Sequence, residues 1–295
     1  MKLIRPSFKI IDQEAGLDGI FKQIELAGRT CYKSFEKIHE GSAFKFVSNI
    51  INSGHNSVLE HGTVYLQLPL KEFNDDSRIK IEHGRLHARF VEDVAFVTTN
   101  YRYLLEHGAL DMLEYLCDRP SPMHKKRVTV MFCTQIAISR EFNRHRVNSP
   151  SEESTRYCNY SKDKFGNEIS INLPTWVDFD DATNPRFILE ERLKHCAENF
   201  GEELWDAIDY WLFANAVCEY CYLKLIEKGR TAEEARTILP LDTNTELVHT
   251  AFVSDWRHFF ELRAENKFGK PHSDAKILAQ PLKREFVKRG YLFDD

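Results

Sequence analysis

An apolar, β-branched run near the middle of the chain constrains the fold more than any other sequence feature. Val128 to Ile138 reads VTVMFCTQIAI, and its β-branched and aromatic residues predict a buried strand. A second strand is predicted from Thr63 to Leu70, where apolar and polar side chains alternate in TVYLQLPL. Long helical patterns surround both runs, so we expect an α+β fold with a small, mostly antiparallel sheet packed with several helices.

Helical patterns account for most of the remaining chain. Apolar residues recur at helical spacing in several stretches, and glycines or capping residues mark their ends. The predicted helices are residues 16–34, 43–53 before Gly54, 98–116, 186–228 before Gly229, 231–240 behind a Thr231–Glu234 capping box, 254–263 behind Ser254, and 273–288. All of them are predicted to belong to one domain, residues 1–295.

Composition argues against several classes of function. Hydrophobic residues make up 42% of the 295 residues and charged residues 29%, as in soluble globular proteins. The formal net charge is −5, so neither nucleic acid nor an acidic membrane surface is expected as a partner. No apolar run of about 18 residues predicts a membrane span, and the N-terminal residues do not resemble a secretory signal.

The seven cysteines are odd in number and scattered along the chain. This distribution favours reduced thiols in the cytoplasm over a disulfide framework. Cys218 and Cys221 form a C-x-x-C inside an apolar helical run with no second pair nearby. Packing is the favoured explanation of this pair, with zinc binding or redox chemistry as the alternative.

The segment Arg144 to Tyr157, RHRVNSPSEESTRY, concentrates groups that suit binding chemistry. Arg144, His145 and Arg146 place three potential cations in a row. Long side chains lose entropy when they are fixed, and adjacent like charges repel, so such a run is usually a solvated surface.

The residues after this run favour a binding site instead. Residues 149–152, SPSE, fit a capping box with proline at the first helical position, which predicts a helix starting just after the cations. A helix N-terminus attracts anions, and the hydroxyls of Ser151 and Ser154 and the guanidinium of Arg156 add hydrogen-bonding groups. These residues predict a phosphate or nucleotide site, with a solvated surface as the alternative.

The same segment resembles the signature of flavin-dependent thymidylate synthases: R-H-R, two residues, Ser, three or four mixed residues, then S-x-R. The positions that fit are Arg144, His145, Arg146, Ser149, Ser154 and Arg156. Four further segments resemble elements of this family in the family's order. They are GRTCY (residues 28–32), GHNSVLEH (54–61), ARTILP (235–240) and FELR (260–263).

The chain departs from the family pattern at several positions. Glu141 stands where Gln is frequent, and Ser151 stands where Asn is common. Phe252 and Ser254 align with the Asn-x-Arg that helps to hold the flavin in compact members, so those contacts are not carried over, and His258 is expected to replace part of them. About eighty residues separate the E-H element from R-H-R, which predicts an insertion at about residues 71–127.

The resemblance implies reductive methylation of dUMP to dTMP. The carbon would come from 5,10-methylenetetrahydrofolate, and the hydride from an FAD that NADPH has reduced. No enzyme cysteine is expected to attack the pyrimidine, because none stands in a recognisable nucleophile motif.

The resemblance also implies roles for individual residues. Arg263 is the residue expected to activate the substrate, since a fixed cation beside the uracil favours the N3-ionised base; the alternative for Arg263 is a surface ion pair. Ser154 matches the family's active-site serine and is interpreted as a hydrogen-bonding group, because no general base is evident beside it. The expected dUMP contacts are Glu141, Arg144, Glu152, Glu153, Ser154, Thr155, Arg156, Arg236 and Arg263. The expected FAD contacts are Ser57, Arg144, His145, Arg146, Glu152 and His258.

No metal site is expected. His55, Glu60 and His61 offer ligand types, but their spacing without further ligands favours structural roles. Family members are homotetramers with shared active sites, so a homotetramer is expected here. The apolar stretch around Trp205, Trp211 and Phe213 is predicted to pack either in a core or at a subunit interface.

Two other functions remain open at the level of sequence. One is a hydroxymethylase acting on a pyrimidine nucleotide with the same fold, which the departures at Glu141, Phe252 and Ser254 would permit. The other is a non-catalytic protein that keeps the site as a nucleotide-binding pocket. Product analysis separates the first from a thymidylate synthase, and flavin absorbance separates the second.

Overall fold

The computed structural model describes residues 1–177, 185–200 and 204–292. Its contacts divide the chain into two compact units. The first unit comprises Met1–Ser7, Cys133–Arg140 and Glu153–Thr245, and the second comprises Phe8–Phe132, Glu141–Glu152 and Glu246–Asp295. Each unit is described by itself below.

Helices and short strands alternate along the described residues. The strands are β1 (Lys2–Ile4), β2 (Ser7–Ile11), β3 (Thr63–Pro69), β4 (His87–Val91), β5 (Val94–Asn100), β6 (Arg127–Gln135), β7 (Ser149–Glu152), β8 (Ser170–Asn172) and β9 (Asn244–Phe252). The α-helices are α1 (Gly16–Tyr32), α2 (Ser42–Ser53), α3 (Leu70–Asp75), α4 (Tyr101–Glu106), α5 (Ile136–Phe142), α6 (Pro185–Glu198), α7 (Ala207–Glu227), α8 (Ala232–Ala235), α9 (Val253–Arg263) and α10 (Ser273–Lys288). Short 3-10 helices cover Phe35–Lys37, Asn56–His61, Leu110–Tyr115, Asp163–Phe165 and Arg236–Ile238.

The second unit contains a three-stranded sheet in the order β3-β5-β4, and both of its strand pairs are antiparallel. Apolar side chains of α1 and α2 share one buried cluster with those of β3 and β5. Gly28 permits the close approach of the two helices, because a Cβ there would come within 2.3 Å of the Phe46 ring. Part of the GRTCY element therefore has a packing role.

Most of a four-stranded sheet, in the order β2-β6-β9-β7, also belongs to the second unit. Its edge strand β7 runs antiparallel to β9. Helix α9 packs a fully buried aromatic cluster near this sheet, with Trp256 and Phe259 5.1 Å apart and Phe132 6.1 Å from Phe259. This cluster holds the helix that ends at Arg263.

In the first unit, β1 pairs with β8 in parallel, and α6 packs beside α7. Arg192 on α6 donates to Asp206 and Asp209 at the start of α7, at 3.0 and 2.6 Å. Trp211 packs in the core of this unit and donates to Asp242 at 2.6 Å.

The expected α+β class with small, mostly antiparallel sheets is confirmed. The strand predicted at residues 63–70 and the helices predicted at 16–34, 43–53 and 273–288 are present within a residue or two. Among the described helices, none is both long and apolar enough to cross a bilayer.

Several predicted elements are wrong in type or extent. Residues 98–116 were expected to be one helix, but they contain the end of β5, α4 and a 3-10 helix. The strand predicted at 128–138 ends at Gln135, where α5 begins. Ser254 does not cap α9, because Phe252 occupies the N-cap position and offers no side-chain hydrogen bond.

The single helix expected at residues 186–228 is two helices. Asp206 opens α7 with a capping box, its carboxylate accepting from the Asp209 N–H at 2.8 Å. Such a cap satisfies backbone N–H groups that a continuous helix would bond internally, so it marks a new start. Residues 201–203, inside the predicted span, lie outside the described residues.

Candidate active site

The SPSE segment after the cationic run forms an edge strand, and not the helix N-terminus that its pattern predicts. Ser149 pairs with Thr250 and Glu152 with Leu247 along β9. Proline is tolerated at position 150 because an edge strand leaves some N–H groups without a ladder partner. The interpretation of this segment as a helix-dipole anion site is therefore wrong.

A buried histidine ties β7 to its neighbours. His61 Nε2 lies 2.9 Å from Ser151 Oγ, and His61 Nδ1 lies 2.8 Å from Thr250 Oγ1. Burial lowers the pKa of His61 to about 3, with a further contribution from the charge of Arg127. His61 is thus a neutral, structural histidine. The hydroxyl of Ser151 is engaged in the contact with it.

Arg263, the last residue of α9, meets Glu141 on α5. Its Nη1 donates to Glu141 Oε2 at 2.5 Å and its Nη2 to the Glu141 carbonyl oxygen at 2.8 Å. Its Nε donates to His145 Nε2 at 3.3 Å. Contacts from all three nitrogens fix the plane of the guanidinium.

His145 is buried between Arg263 and the aromatic residues of α9. Its ring centroid lies 5.0 Å from Phe259 and 5.8 Å from His258. Burial lowers its pKa to about 4, and the positive charge of Arg263 contributes in the same direction. His145 is therefore neutral at pH 7. Because its Nε2 accepts from Arg263, its proton resides on Nδ1.

The two arginines that flank His145 are exposed. Within the described residues, neither Arg144 nor Arg146 forms an ion pair. Cations in this state are available to bind an anionic ligand without first losing a protein partner. Two other expected flavin contacts, Ser57 in the 3-10 helix Asn56–His61 and His258 on α9, are also exposed. All of these residues belong to the second unit.

Glu152 lies at the end of a chain of side-chain hydrogen bonds that the sequence does not reveal. Asn143 Nδ2 donates to Glu152 Oε2 at 2.9 Å. The oxygen of the same amide lies 3.2 Å from His249 Nε2, and the other ring nitrogen lies 3.3 Å from Asn148 Nδ2. Asn143 adjoins the R-H-R motif, but no spacing signal links it to His249, which is about a hundred residues away.

The remaining expected dUMP contacts belong to the first unit. Arg236 Nη1 lies 3.4 Å from Thr155 Oγ1, which brings the ARTILP element to the end of the signature. Ser154 is half-buried, and its carbonyl oxygen accepts from the N–H groups of Tyr157 and Cys158. Its position in this turn agrees with a hydrogen-bonding group better than with an activated nucleophile.

Two first-unit residues have partners within the protein. Arg156 forms a bidentate pair with Glu233, its Nε 3.0 Å from Oε1 and its Nη2 3.3 Å from Oε2. Both side chains are about half exposed, so an anionic ligand can compete for the guanidinium at small cost. Glu153 is buried and accepts from the Tyr160 hydroxyl at 3.1 Å, and burial next to Glu153 raises the pKa of Tyr160.

The positions that depart from the family's Asn-x-Arg offer no equivalent bonds. Phe252 is buried and lies under the cationic groups of Lys125 and Arg127, at 5.2 and 5.6 Å from its ring centroid. Ser254 is exposed and lies 3.5 Å from Asp255. A flavin contact from this segment would have to use other residues.

No group of three or more His, Cys, Asp or Glu side chains in the described residues has the geometry of a metal site. The seven cysteines all lie in described segments, and none forms a disulfide. Cys218 is half-buried and Cys221 exposed on α7. Trp205 and Phe213, from the apolar stretch, lie with ring centroids 4.9 Å apart.

Curated proteins with similar sequences are flavin-dependent thymidylate synthases. A probable flavin-dependent thymidylate synthase of Paramecium bursaria Chlorella virus 1 is 42% identical over 161 residues, which are 55% of this chain and 66% of that protein. The enzyme of Tropheryma whipplei (strain TW08/27) is 27% identical over 52% of this chain and 59% of its own length. The chain thus spans less than two thirds of these two relatives. A longer match, to the enzyme of Corynebacterium aurimucosum, is 23% identical over 92% of this chain and 78% of that protein.

A solved structure also aligns over most of the chain. It is a UMP/dUMP methylase PolB from Streptomyces cacaoi bound with 5-Br dUMP, with a TM-score of 0.43 and 16% identity over 98% of this chain and 93% of that one. The model of the family described as thymidylate synthase complementing protein matches residues 82–289, more than half of the chain. This match and the signature residues agree with the resemblance found in the sequence, and the chain belongs to the Thy1 family of thymidylate synthase complementing proteins.

Proposed function

We propose that this chain is a flavin-dependent thymidylate synthase that converts dUMP to dTMP, with methylenetetrahydrofolate as carbon donor and FAD with NADPH as reductant. Family membership supports the reaction class. The geometry of Arg263 supports the chemistry. When bound, FAD supplies the hydride that completes the new methyl group.

The observation that carries the proposal is the state of the Arg263 guanidinium. Glu141 and His145 occupy one N–H on each of its three nitrogens. A guanidinium has five N–H donors, so one remains on each terminal nitrogen without a partner among the described residues. A fixed cation with unused N–H donors can stabilise a uracil whose N3 has lost its proton, because it donates to the atoms that carry the negative charge.

Glu141 orients the guanidinium of Arg263, and its negative charge partly offsets the positive charge of that group. Burial and the nearby charge of Arg144 lower the pKa of Arg263, while the carboxylate of Glu141 opposes that shift. The pair therefore keeps a charged guanidinium half-buried in one orientation, which a neutral Gln would do less strongly. This gives a physical reason for the departure from the family's frequent Gln.

The second unit has groups that fit part of FAD. Arg144 and Arg146 provide exposed cations for its phosphates, and the neutral His145 holds a proton on Nδ1 that an acceptor on the isoalloxazine can accept. We propose that Ser57, Glu152 and His258 complete these contacts. The segment of Phe252 and Ser254 does not fit the flavin role that its family counterpart performs.

For dUMP, we propose that Arg156, Arg236, Thr155 and Ser154 contact phosphate and sugar. Arg156 is able to exchange its exposed partner Glu233 for a phosphate, which offers more acceptor oxygens. We also propose contacts from Glu153, although the Tyr160 hydroxyl already occupies one of its oxygens. The proposed setting is the cytoplasm and the proposed assembly a homotetramer with shared sites.

Purified protein provides the test. We expect a flavin spectrum that bleaches on addition of NADPH, and dTMP formation from dUMP and methylenetetrahydrofolate only when NADPH is present. The same assay with dCMP is the substrate control. A hydroxymethylated product would replace the proposal with a nucleotide hydroxymethylase, and absence of flavin absorbance after addition of FAD would favour a non-catalytic binding protein.

A further inference from the structure

We propose that Asn143 is a positioning residue that orients the carboxylate of Glu152 towards substrate, and that His249 fixes the amide of Asn143 in the orientation this requires. The inference rests on the proposed function, because the family resemblance implies that Glu152 contacts dUMP and the proposed function places it against FAD. All three residues belong to the second unit.

The positions of the protons follow from the chain of contacts. An ionised carboxylate only accepts, so Asn143 must present its NH₂ group to Glu152 Oε2, 2.9 Å away. The amide oxygen of Asn143 then faces His249 Nε2 at 3.2 Å and needs a donor there. His249 Nε2 therefore carries the proton, and its Nδ1 accepts from Asn148 Nδ2 at 3.3 Å. Only this arrangement of protons, with an ionised Glu152 and a neutral His249, gives every contact in the series one donor and one acceptor.

The surroundings of His249 hold it in the neutral form that this arrangement needs. The ring is fully buried, with Phe132 and Trp256 each 6.3 Å away between centroids. Burial lowers its pKa to about 3, and the nearby His145 contributes in the same direction. A charged ring would carry protons on both nitrogens and would confront the Asn148 amide with a second donor.

Glu152 needs such support because of its place in the fold. It is the last residue of the edge strand β7, and its side chain is only half-buried. A partly exposed glutamate side chain loses rotamer entropy when it binds a ligand. A hydrogen bond from a fixed amide removes part of that loss before the ligand arrives, which is the general advantage of a preorganised site.

A double-mutant cycle tests the link between Asn143 and Glu152. The variants are Asn143→Leu, Glu152→Gln and the combination, with Asn74→Leu on the exposed face of α3 as the matched control. We expect Asn143→Leu to raise the KM for dUMP, or lower kcat/KM, about 10- to 150-fold, the usual effect of losing a hydrogen bond to a charged group. In the Glu152→Gln background the same change should cost less, about 2- to 10-fold, because a neutral amide oxygen accepts a weaker hydrogen bond than a carboxylate does.

Substitutions at His249 separate positioning from general stability. His249→Gln keeps an N–H donor near the former Nε2 and should retain most of kcat/KM, whereas His249→Leu removes that donor and should reproduce the dUMP effect of Asn143→Leu. The melting temperature of each variant is measured alongside. Suppose that His249→Leu and His249→Gln have equal melting temperatures and that both lose kcat/KM to the same extent. This result would contradict the role of the ring nitrogen.

The outcomes distinguish the two proposals. If the wild-type protein forms dTMP but Asn143→Leu has the same effect with and without Glu152→Gln, positioning by Asn143 is overturned and the proposed function stands. If the wild-type protein neither binds dUMP by calorimetry nor forms dTMP, the proposed function fails and the inference about Asn143 falls with it.

Discussion

At the scale of single residues, the cationic motif contains side chains in different physical states. His145 is buried and neutral, while Arg144 and Arg146 on either side are exposed. Three potential cations in a row thus become two charges and one hydrogen-bonding ring. Because His145 is neutral, it does not repel the two arginines beside it, and most of the repulsion expected for three adjacent cations is absent.

Arg263→Ala should abolish most dTMP formation while FAD remains bound. The variant loses the donors proposed to face the uracil anion, and removal of such a donor typically lowers kcat by about 100- to 1,000-fold. Arg263→Lys is the informative control, because it keeps the charge but has no planar fork to match Glu141, His145 and substrate together. Turnover by Arg263→Ala at the wild-type rate, measured as dTMP formed per bound flavin, would remove Arg263 from the mechanism.

Arg144→Ala should weaken retention of FAD. Loss of a charge-assisted bond to a phosphate costs about 1.5–3 kcal/mol, equivalent to about 10- to 150-fold in affinity. The FAD dissociation constant is measured by absorbance or calorimetry after the flavin has been stripped. Arg140→Ala, an exposed arginine on α5 outside the motif, is the matched control, and equal FAD affinity in both variants would show that the cofactor is misplaced.

At the scale of elements, residues 149–152 show tertiary context overriding a local signal. Ser-Pro-Ser-Glu has the residue types of a capping box, but the same serine hydroxyls also fit bonds across strands. Ser151 meets His61 from the second unit's 3-10 helix, and the backbone pairs with β9. A sheet edge with free backbone groups outweighs a cap that stabilises by about 1 kcal/mol.

The stretch predicted to contain an insertion has regular structure in this protein. Residues 71–127 include most of α3, the β4–β5 hairpin and α4, and β5 pairs along the whole of β3. The stretch therefore completes a sheet and contributes to the buried core. That it is an insertion relative to compact family members stays a prediction.

Asp206→Ala should destabilise the first unit at the start of α7. The carboxylate caps the helix through the Asp209 N–H and also accepts from Arg192 at 3.0 Å. Loss of such a cap costs about 1 kcal/mol, and the exposed ion pair adds little. Asp206→Asn keeps the cap and should retain most of the stability. Urea unfolding followed by circular dichroism measures the difference, and identical midpoints for the Ala and Asn variants would contradict the cap.

At the scale of the whole molecule, two fully buried histidines link stability to pH. The pKa values of His61 and His249 are lowered to about 3, mainly by burial, whereas in the unfolded chain they stay near 6.5. Below pH 6.5 the unfolded chain therefore binds protons that the native protein does not. The free energy of unfolding should be fully present above pH 6.5 and should fall as pH decreases towards 3.

We expect this fall to reach about 4 kcal/mol for the two histidines together between pH 7 and pH 5. Unfolding at pH 7, 6 and 5 measures it. His249→Gln removes one titrating group, so its stability should vary with pH less steeply over this range. A wild-type stability that does not change between pH 7 and pH 5 would show that these rings are not neutral.

The proposed homotetramer has a candidate contact surface on α7. Tyr210, Val217 and Tyr220 are exposed along this helix at 58%, 42% and 63%, and burial of such apolar area would favour association. Val217→Asp should shift the protein towards smaller species in light scattering, while Lys228→Asp at the end of the helix should not. An unchanged assembly in Val217→Asp would place the interface elsewhere.

The sequence by itself determined the fold class, most helix positions and the family. Those depend on hydrophobic periodicity, on glycine and cap residues and on fixed motif spacing, which are local properties of the chain. Only the tertiary structure decided that residues 149–152 form a strand, that Glu141 holds Arg263, that His145 is neutral, and that Asn143 contacts both Glu152 and His249. Each of these depends on burial or on a partner far away in sequence, and neither desolvation nor a long-range hydrogen bond leaves a periodic signal in the chain.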